Sequence, residues 1–224
     1  NPARSLNKDI VIAIDHDLRH ALILKTKDMP EKGAALRSFN LQPDKKTILI
    51  VGGSLGARTI NNTLTAALAT IKENNDIQFI WQTGKYYYPQ VTEALRAAGE
   101  LPNLYVTDFI KDMAAAYAAS DLVISRAGAG SISEFCLLHK PVVLVPSPNV
   151  AEDHQTKNAL ALVHKDAAVM IADKDAEKDL VPTALKIVHD DERLRTLSRN
   201  IETLAQRHSA DRIVDEIVKI IDKK

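Results

Sequence analysis

Short apolar runs, partly β-branched, alternate along this chain with longer stretches of helical spacing, and several of the runs end in glycine. Thr47-Ile48-Leu49-Ile50-Val51 leads into Gly52-Gly53, and residues 57–72 then carry Ile60, Leu64, Ala67, Leu68 and Ile71 on one helical face. The pattern repeats: a strand at 77–81 closed by Gly84, a helix at 89–98 stopped by Gly99, a strand at 104–106 and a helix at 112–119. Strands at 122–125, 142–145 and 168–171 alternate with helices at 128–138 and 153–163, and everything beyond 176 reads as two or three helices ending near 221. Strands separated by helices of roughly 10–15 residues are the pattern of βαβ units and a parallel sheet. Runs without polar alternation suit strands covered on both faces. The expected fold is therefore α/β, a Rossmann-like parallel sheet with helices on both faces.

The organisation along the chain is a core at 47–175, C-terminal helices at 176–224, and an N-terminal segment at 1–46 that belongs to the same domain. Residues 9–24 read as a strand followed by a helix or as one irregular helix, and 25–33, with Pro30, as loop. Composition removes several classes. Lys plus Arg and Asp plus Glu are 29 each, so no dominant nucleic-acid footprint exists. The single Cys136 makes no internal disulfide and no cysteine-rich metal cluster. Seven histidines lack the H-E-x-x-H spacing, which argues against a protein-bound metal. No apolar run approaches the roughly 18 residues of a membrane span, and no signal-peptide pattern opens the chain. A reducing compartment is the easiest to reconcile with the single cysteine. The first residues lack an initiator methionine, as in a processed chain or a piece of a longer one.

Ligands of open parallel sheets bind beyond the carboxyl ends of the strands. Two glycine turns lie there, Gly52-Gly53-Ser54-Leu55-Gly56-Ala57-Arg58 and Ser125-Arg126-Ala127-Gly128-Ala129-Gly130-Ser131. Each opens a helix, and together they suit a diphosphate held by backbone N–H groups. The first is neither the G-x-G-x-x-G fingerprint nor a P-loop, and taken alone its alternative is a plain glycine-rich connection; two such turns at strand ends are more specific than one. Glu134 suits paired sugar hydroxyls; its alternative is a first-turn carboxylate capping with Ser131. After the 142–145 strand, Asp153-His154-Gln155-Thr156-Lys157-Asn158 opens another helix. Gln155 and Asn158 share a face there, Asp153 is a candidate N-cap, and His154 reads as a surface residue. Tyr86-Tyr87-Tyr88 reads as a loop with aromatic packing, and Cys136 as a small buried side chain rather than a nucleophile.

Taken in order, Gly52–Arg58, Trp81-Gln82-Thr83-Gly84, Val106-Thr107-Asp108-Phe109-Ile110-Lys111-Asp112-Met113, Ser125–Gly128, Ser133-Glu134 and Asp153–Ala159 resemble the C-terminal domain of the MurG family. That family comprises the N-acetylglucosaminyltransferases that complete lipid II in peptidoglycan synthesis. The match is dense over 47–172 and loose beyond, and Asn1-Pro2-Ala3-Arg4 is similar to the family's Asn-Pro-Val-Arg, with Ala3 for valine. The resemblance implies the C-terminal half of a GT-B glycosyltransferase, inverting and without cofactor or metal. It implies UDP-N-acetylglucosamine as donor and an undecaprenyl-diphospho-muramoyl-pentapeptide acceptor carried by an N-terminal domain on the cytoplasmic face of the inner membrane. This chain resembles the donor half alone, expected to be inactive by itself and to contain no catalytic residue. Alternatives are another GT-B or nucleotide-sugar epimerase-like domain, or a non-catalytic nucleotide-sugar-binding module.

Carried over to this sequence, the resemblance implies that the Ile110 backbone meets uracil and Glu134 takes the ribose hydroxyls. Ser54 and Arg126, with the Ala129 and Gly130 backbone, would lie near the diphosphate. Gln155 and Asn158 would contact the N-acetylglucosamine ring, and Arg4 would approach from the linker side. The chain departs from the family at 5–46, which is longer than usual and resembles an insertion, and at Thr156, where some relatives carry a second glutamine. Ile213, Ile217, Ile220 and Ile221 would pack on the domain or stay partly exposed.

Overall fold

A computed structural model describes residues 29–53, 55–206, 214 and 218–219. The expectations on Arg4, on residues 5–28, on Ser54 and on Ile213, Ile217, Ile220 and Ile221 lie outside the described residues. The elements run α1 Lys32–Ser38, β1 Lys46–Val51, α2 Arg58–Ala66, α3 Leu68–Glu73, β2 Ile77–Gln82, α4 Tyr88–Ala98, β3 Leu104–Thr107, α5 Met113–Ala119 and β4 Leu122–Ser125. They continue with α6 Ala129–Leu137, β5 Val142–Leu144, α7 His154–Val163, β6 Val169–Met170, α8 Ala176–His189 and α9 Asp191–Glu202. Short 3-10 turns at Ala151–Asp153 and Asp173–Asp175 precede α7 and α8.

The six strands pair in parallel in the order β3-β2-β1-β4-β5-β6. This is the α/β architecture that the alternation implies. Successive side chains of each strand go to opposite faces, so one apolar run feeds two cores. Leu49, Ile80, Val123 and Leu144 join α1, α5, α6 and α7 on one side. Ile48, Ile50, Phe79, Trp81, Ile124 and Val143 join α2, α3, α4 and α8 on the other. The last helix serves both, with Ile201 in the first cluster and Leu197 in the second.

Two readings are corrected here. The helix expected over 57–72 divides at Ala67. Just before the break, the Thr65 hydroxyl donates to the Asn61 carbonyl at 2.8 Å, a back-bond that competes with the helical ladder and bends helices. Residues 29–31 are irregular, but the loop expected to run through Gly33 ends at Lys32, where α1 begins. Glu31 caps that helix, and Ala35 and Leu36 bury themselves against the α5 side of the core. Gly33 is not among the glycines with positive φ, and it lies inside the helix.

Candidate functional site

The strand order reverses direction at β1 and β4, which lie side by side with Val51 opposite Ser125. Both glycine turns leave the carboxyl ends of these two strands, 74 residues apart by the numbering of that pair and adjacent in space. This is the topological switch point where open α/β sheets bind ligands. Gly128 is the N-cap of α6, with no side-chain cap and open space where a Cβ would stand. The backbone of Ala129 and Gly130 forms the first turn of that helix. Uncapped first-turn N–H groups and the helix field together favour an anion.

The first turn is shaped by close contacts. Gly56 has φ +79°, and a Cβ there would stand 2.1 Å from the Thr83 carbonyl oxygen; Gly84, at the same φ, would put one 2.4 Å from the Gly56 nitrogen. The first glycine turn thus packs backbone to backbone on the chain leaving β2 at Thr83 and Gly84. Gln82, 3% exposed, ties that first turn further. Its Oε1 accepts from the Gly52 N–H at 3.2 Å, and its Nε2 donates to the carbonyls of Gly53 at 3.0 Å and Asp108 at 3.1 Å. One buried amide therefore joins the first glycine turn to the loop that leads to Ile110. Behind it, Trp81 Nε1 donates to Asn61 Oδ1 at 2.9 Å and Asn61 Nδ2 to the Thr83 carbonyl at 2.8 Å. The Ile110 side chain is buried in the core, so the backbone is what this residue can offer a ligand.

The second turn is tied to the end of β5. Gln155 Oε1 accepts from the backbone N–H groups of Ala127 at 3.2 Å and Ser147 at 2.9 Å. Two donors aimed at one oxygen settle which end of the amide is which, and they leave the Gln155 NH2 as its donor end. Asn158 Nδ2 donates to the Ala127 carbonyl at 3.2 Å. Arg126 reaches over β5, donating to the carbonyls of Val145 at 3.0 Å and Pro146 at 3.2 Å and pairing with Asp173. Thr59, in the first turn of α2, donates to the other Asp173 oxygen at 2.8 Å. Arg126 thus stands beside the turn with its charge matched by Asp173. Ahead of α7, Glu152 and Asp153 both hold positive φ, 54° and 51°, a concentration of backbone strain next to the crevice.

Glu134 is 7% exposed and lies in the second turn of α6, so it is no first-turn cap. Its Oε2 accepts from the Tyr117 hydroxyl at 2.7 Å. Asp153 is likewise not the cap its position suggested: its side chain takes no backbone N–H of α7 and accepts instead from the Thr156 hydroxyl at 2.6 Å. Ile110, Arg126, Ala129 and Gly130 closely follow the carboxyl ends of β3 and β4, Gln155 and Asn158 are hydrogen-bonded to Ala127 in the same turn, and Glu134 lies further into α6. Three residues that sequence reasoning did not single out support parts of this arrangement: Tyr117 holds Glu134, Asp173 pairs with Arg126, and Gln82 ties the first glycine turn to the Asp108 loop. Gln82 stood inside a quoted motif, but nothing in the string shows that its amide spans two loops.

Cys136 is buried, and burial pushes its thiol up to about 11, which suits a packing residue and not a nucleophile. His154 is exposed with Nδ1 at 2.9 Å from the Ala151 carbonyl. Tyr86 and Tyr87 meet edge to face at 4.9 Å, and Tyr87 packs on Gly56. Among the described residues no group of three or more His, Cys, Asp or Glu side chains is arranged to hold a metal.

Residues 47–216 match the glycosyltransferase family 28 C-terminal domain, which covers the whole sheet and both glycine turns. The chain belongs to that family. It is 77% identical over 214 residues to the Bacteroides thetaiotaomicron UDP-N-acetylglucosamine--N-acetylmuramyl-(pentapeptide) pyrophosphoryl-undecaprenol N-acetylglucosamine transferase, covering 96% of this chain and 57% of that protein. The Porphyromonas gingivalis protein of the same name is 52% identical over 196 residues, covering 86% and 51%. This family 28 chain therefore spans a little over half the length of its curated relatives. The crystal structure of Acinetobacter baumannii MurG superposes with a TM-score of 0.68 at 30% identity, covering 79% of this chain and 52% of that one. A UDP-N-acetylglucosamine 2-epimerase structure, at 17% identity and a TM-score of 0.62, shares the fold alone.

Proposed function

We propose that this chain is the donor-binding half of an inverting N-acetylglucosaminyltransferase that moves N-acetylglucosamine from UDP-N-acetylglucosamine to an undecaprenyl-diphospho-muramoyl-pentapeptide. The observation that carries the reading is the pair of glycine turns at the β1/β4 switch point with a buried carboxylate, Glu134, one turn further into α6. The first-turn N–H groups at Ala129 and Gly130, with Ser54, take the diphosphate, and Arg126 lines its rim. Glu134 takes the ribose hydroxyls; it follows Ala129 by roughly 7 Å along the helix axis at the α-helical rise, a distance that suits a ribose next to a diphosphate. The Ile110 backbone meets uracil, and the NH2 of Gln155 and the side chain of Asn158 face the sugar; Arg4, outside the described residues, would approach the donor from the linker side.

Chemically, this half orients the donor and stabilises the leaving diphosphate, whose charge grows as the glycosidic bond breaks. Backbone dipoles aimed at that charge perform the work a metal ion would otherwise do. The acceptor, its lipid and the base that activates the acceptor hydroxyl belong to the part of the relatives that lies outside this match. The whole enzyme would then sit peripherally at the cytoplasmic face of the inner membrane; among the described residues no helix is long and apolar enough to cross one.

Calorimetric titration of this chain with UDP, first in chelator and then in magnesium, tests the reading together with a turnover assay on a lipid acceptor analogue. The expected outcome is equal UDP affinity in both buffers and no transfer by the chain alone. A large gain with magnesium would overturn the backbone-dipole account. Turnover of about 1 s⁻¹ or more would overturn the assignment of the catalytic partner to another part of the protein.

A further inference from the structure

We infer that Tyr117 is a positioning residue that holds the Glu134 carboxylate in the orientation needed to accept from a nucleotide diol. This rests on the assignment of Glu134 to the ribose. Tyr117 is 2% exposed in α5, and its hydroxyl donates to Glu134 Oε2 at 2.7 Å across the gap to α6. The ring that carries this hydroxyl is itself fixed: it meets Phe135, the neighbour of Glu134, edge to face at a centroid distance of 6.0 Å and 82°. The helix that carries the ring is capped, with Asp112 accepting from the Ala115 N–H at 2.9 Å.

The choice of partner matters chemically. A glutamate has three torsions to fix, and a buried carboxylate needs a donor. An arginine or lysine would supply one, but it would also neutralise the charge that makes the carboxylate a strong acceptor of sugar hydroxyls. A phenol supplies a short charge-assisted hydrogen bond and leaves the negative charge in place. It occupies one of about four lone-pair sites on the two oxygens. Burial, and then the Glu134 carboxylate, hold the Tyr117 phenol well above its ordinary range, so it stays a donor throughout the working pH range. This hydrogen bond from a ring held in place thus restricts how the carboxylate can turn.

The test is Tyr117→Phe in this chain, which deletes the hydroxyl and keeps the ring packing, titrated with UDP and with 2′,3′-dideoxy-UDP. The expected result is a loss of about 3- to 30-fold for UDP, the range of one to two hydrogen bonds' worth of misorientation, and less than about 2-fold for the dideoxy nucleotide. In a Glu134→Ala background the same substitution should have no further effect on UDP. A purely structural role would lower the melting temperature and weaken both ligands alike, and that outcome overturns the inference, as does an unchanged UDP affinity. Glu134→Ala separates the two levels. If it weakens both nucleotides equally, the ribose assignment falls and the role of Tyr117 with it. If it discriminates and Tyr117→Phe does not, only the role of Tyr117 falls. Should Tyr117→Phe alone not fold, Tyr117→Phe with Glu134→Gln removes the buried charge together with its donor. The hydroxyl is then read as the difference between that double variant and Glu134→Gln alone, again expected on UDP and absent on the dideoxy nucleotide.

Discussion

Gln155 has two ends with different work, and two substitutions separate them. Its Oε1 holds the Ala127 and Ser147 N–H groups at 3.2 and 2.9 Å, joining the turns after β4 and β5, while its NH2 is the end proposed to face the sugar. Gln155→Leu removes the acceptor and leaves two partly buried backbone N–H groups without it, at about 1–3 kcal/mol each before water compensates. A net loss of about 2–4 kcal/mol corresponds to a melting temperature lower by about 5–12 °C for a chain of this size. Gln155→Glu keeps an oxygen for both N–H groups, as a stronger charged acceptor, so its melting temperature should match the unsubstituted chain within about 2 °C. It removes the NH2 and adds a negative charge near the diphosphate. The like charge should cost about 1 kcal/mol against either nucleotide, or about 5-fold. Loss of the sugar hydrogen bond should add about 1 kcal/mol for UDP-N-acetylglucosamine alone, making about 30-fold in total. Thermal unfolding and calorimetry on both variants with both ligands measure all four quantities. If Gln155→Glu melts as low as Gln155→Leu, the acceptor geometry is wrong. Equal losses for UDP and UDP-N-acetylglucosamine would remove Gln155 from the sugar site.

Two further outcomes are expected. Gly56→Ala should destabilise the chain by about 3 kcal/mol or more, because it combines a positive φ with a 2.1 Å approach to the Thr83 oxygen, whereas Gly53→Ala meets open space and should cost only about 1–2 kcal/mol for its φ of +78°; equal midpoints in urea for the two variants would show that backbone contact is not the reason for glycine at 56. The His189 ring donates toward Asp76 Oδ2 at 2.8 Å and the Leu185 carbonyl at 2.7 Å, and these hydrogen bonds raise the histidine and lower the aspartate. The contribution of His189 is whole below about pH 6.5 and fades as pH rises through its raised folded value, while that of Asp76 is whole above about pH 3.9 and fades as pH falls through its lowered one. His189→Gln should therefore melt lower than the unsubstituted chain at about pH 5–6, with the gap closing on the alkaline side of the raised histidine value. A gap that widens with rising pH would refute the sign. Both groups are largely exposed, so the gap should be a small one that salt reduces.

The string of residues determined the element order with little ambiguity. Runs such as Ile48-Leu49-Ile50 and Val142-Val143-Leu144 are apolar and β-branched over a few residues, and Gly84 and Gly99 end segments through positive φ, a local property. Elements without such marks were misread. The start of α1 sits just after Pro30 and contains Gly33, both loop signals, yet burial of Ala35 and Leu36 against α5 outweighs them. The motifs around both glycine turns were legible for the same reason as the strands: each is contiguous and chemically unusual.

What holds those motifs together was not legible. Tyr117 meets Glu134 across 17 residues, Gln82 meets Gly53 across 29, and Arg126 meets Asp173 across 47, and in each case the partner is an ordinary residue type in an ordinary local pattern. Nor does any local signal put β4 beside β1 rather than beside β3, its predecessor in the chain. That choice decides whether the two glycine turns face one crevice or two. It is made by the demand that every apolar strand be covered on both faces while each crossover stays right-handed, and those conditions are satisfied by the sheet as a whole. Sequence by itself thus determined which segments carry glycine turns and polar helix starts; only the tertiary structure decided that the two glycine turns lie side by side, because adjacency in a parallel sheet is a property of packing and not of any one segment.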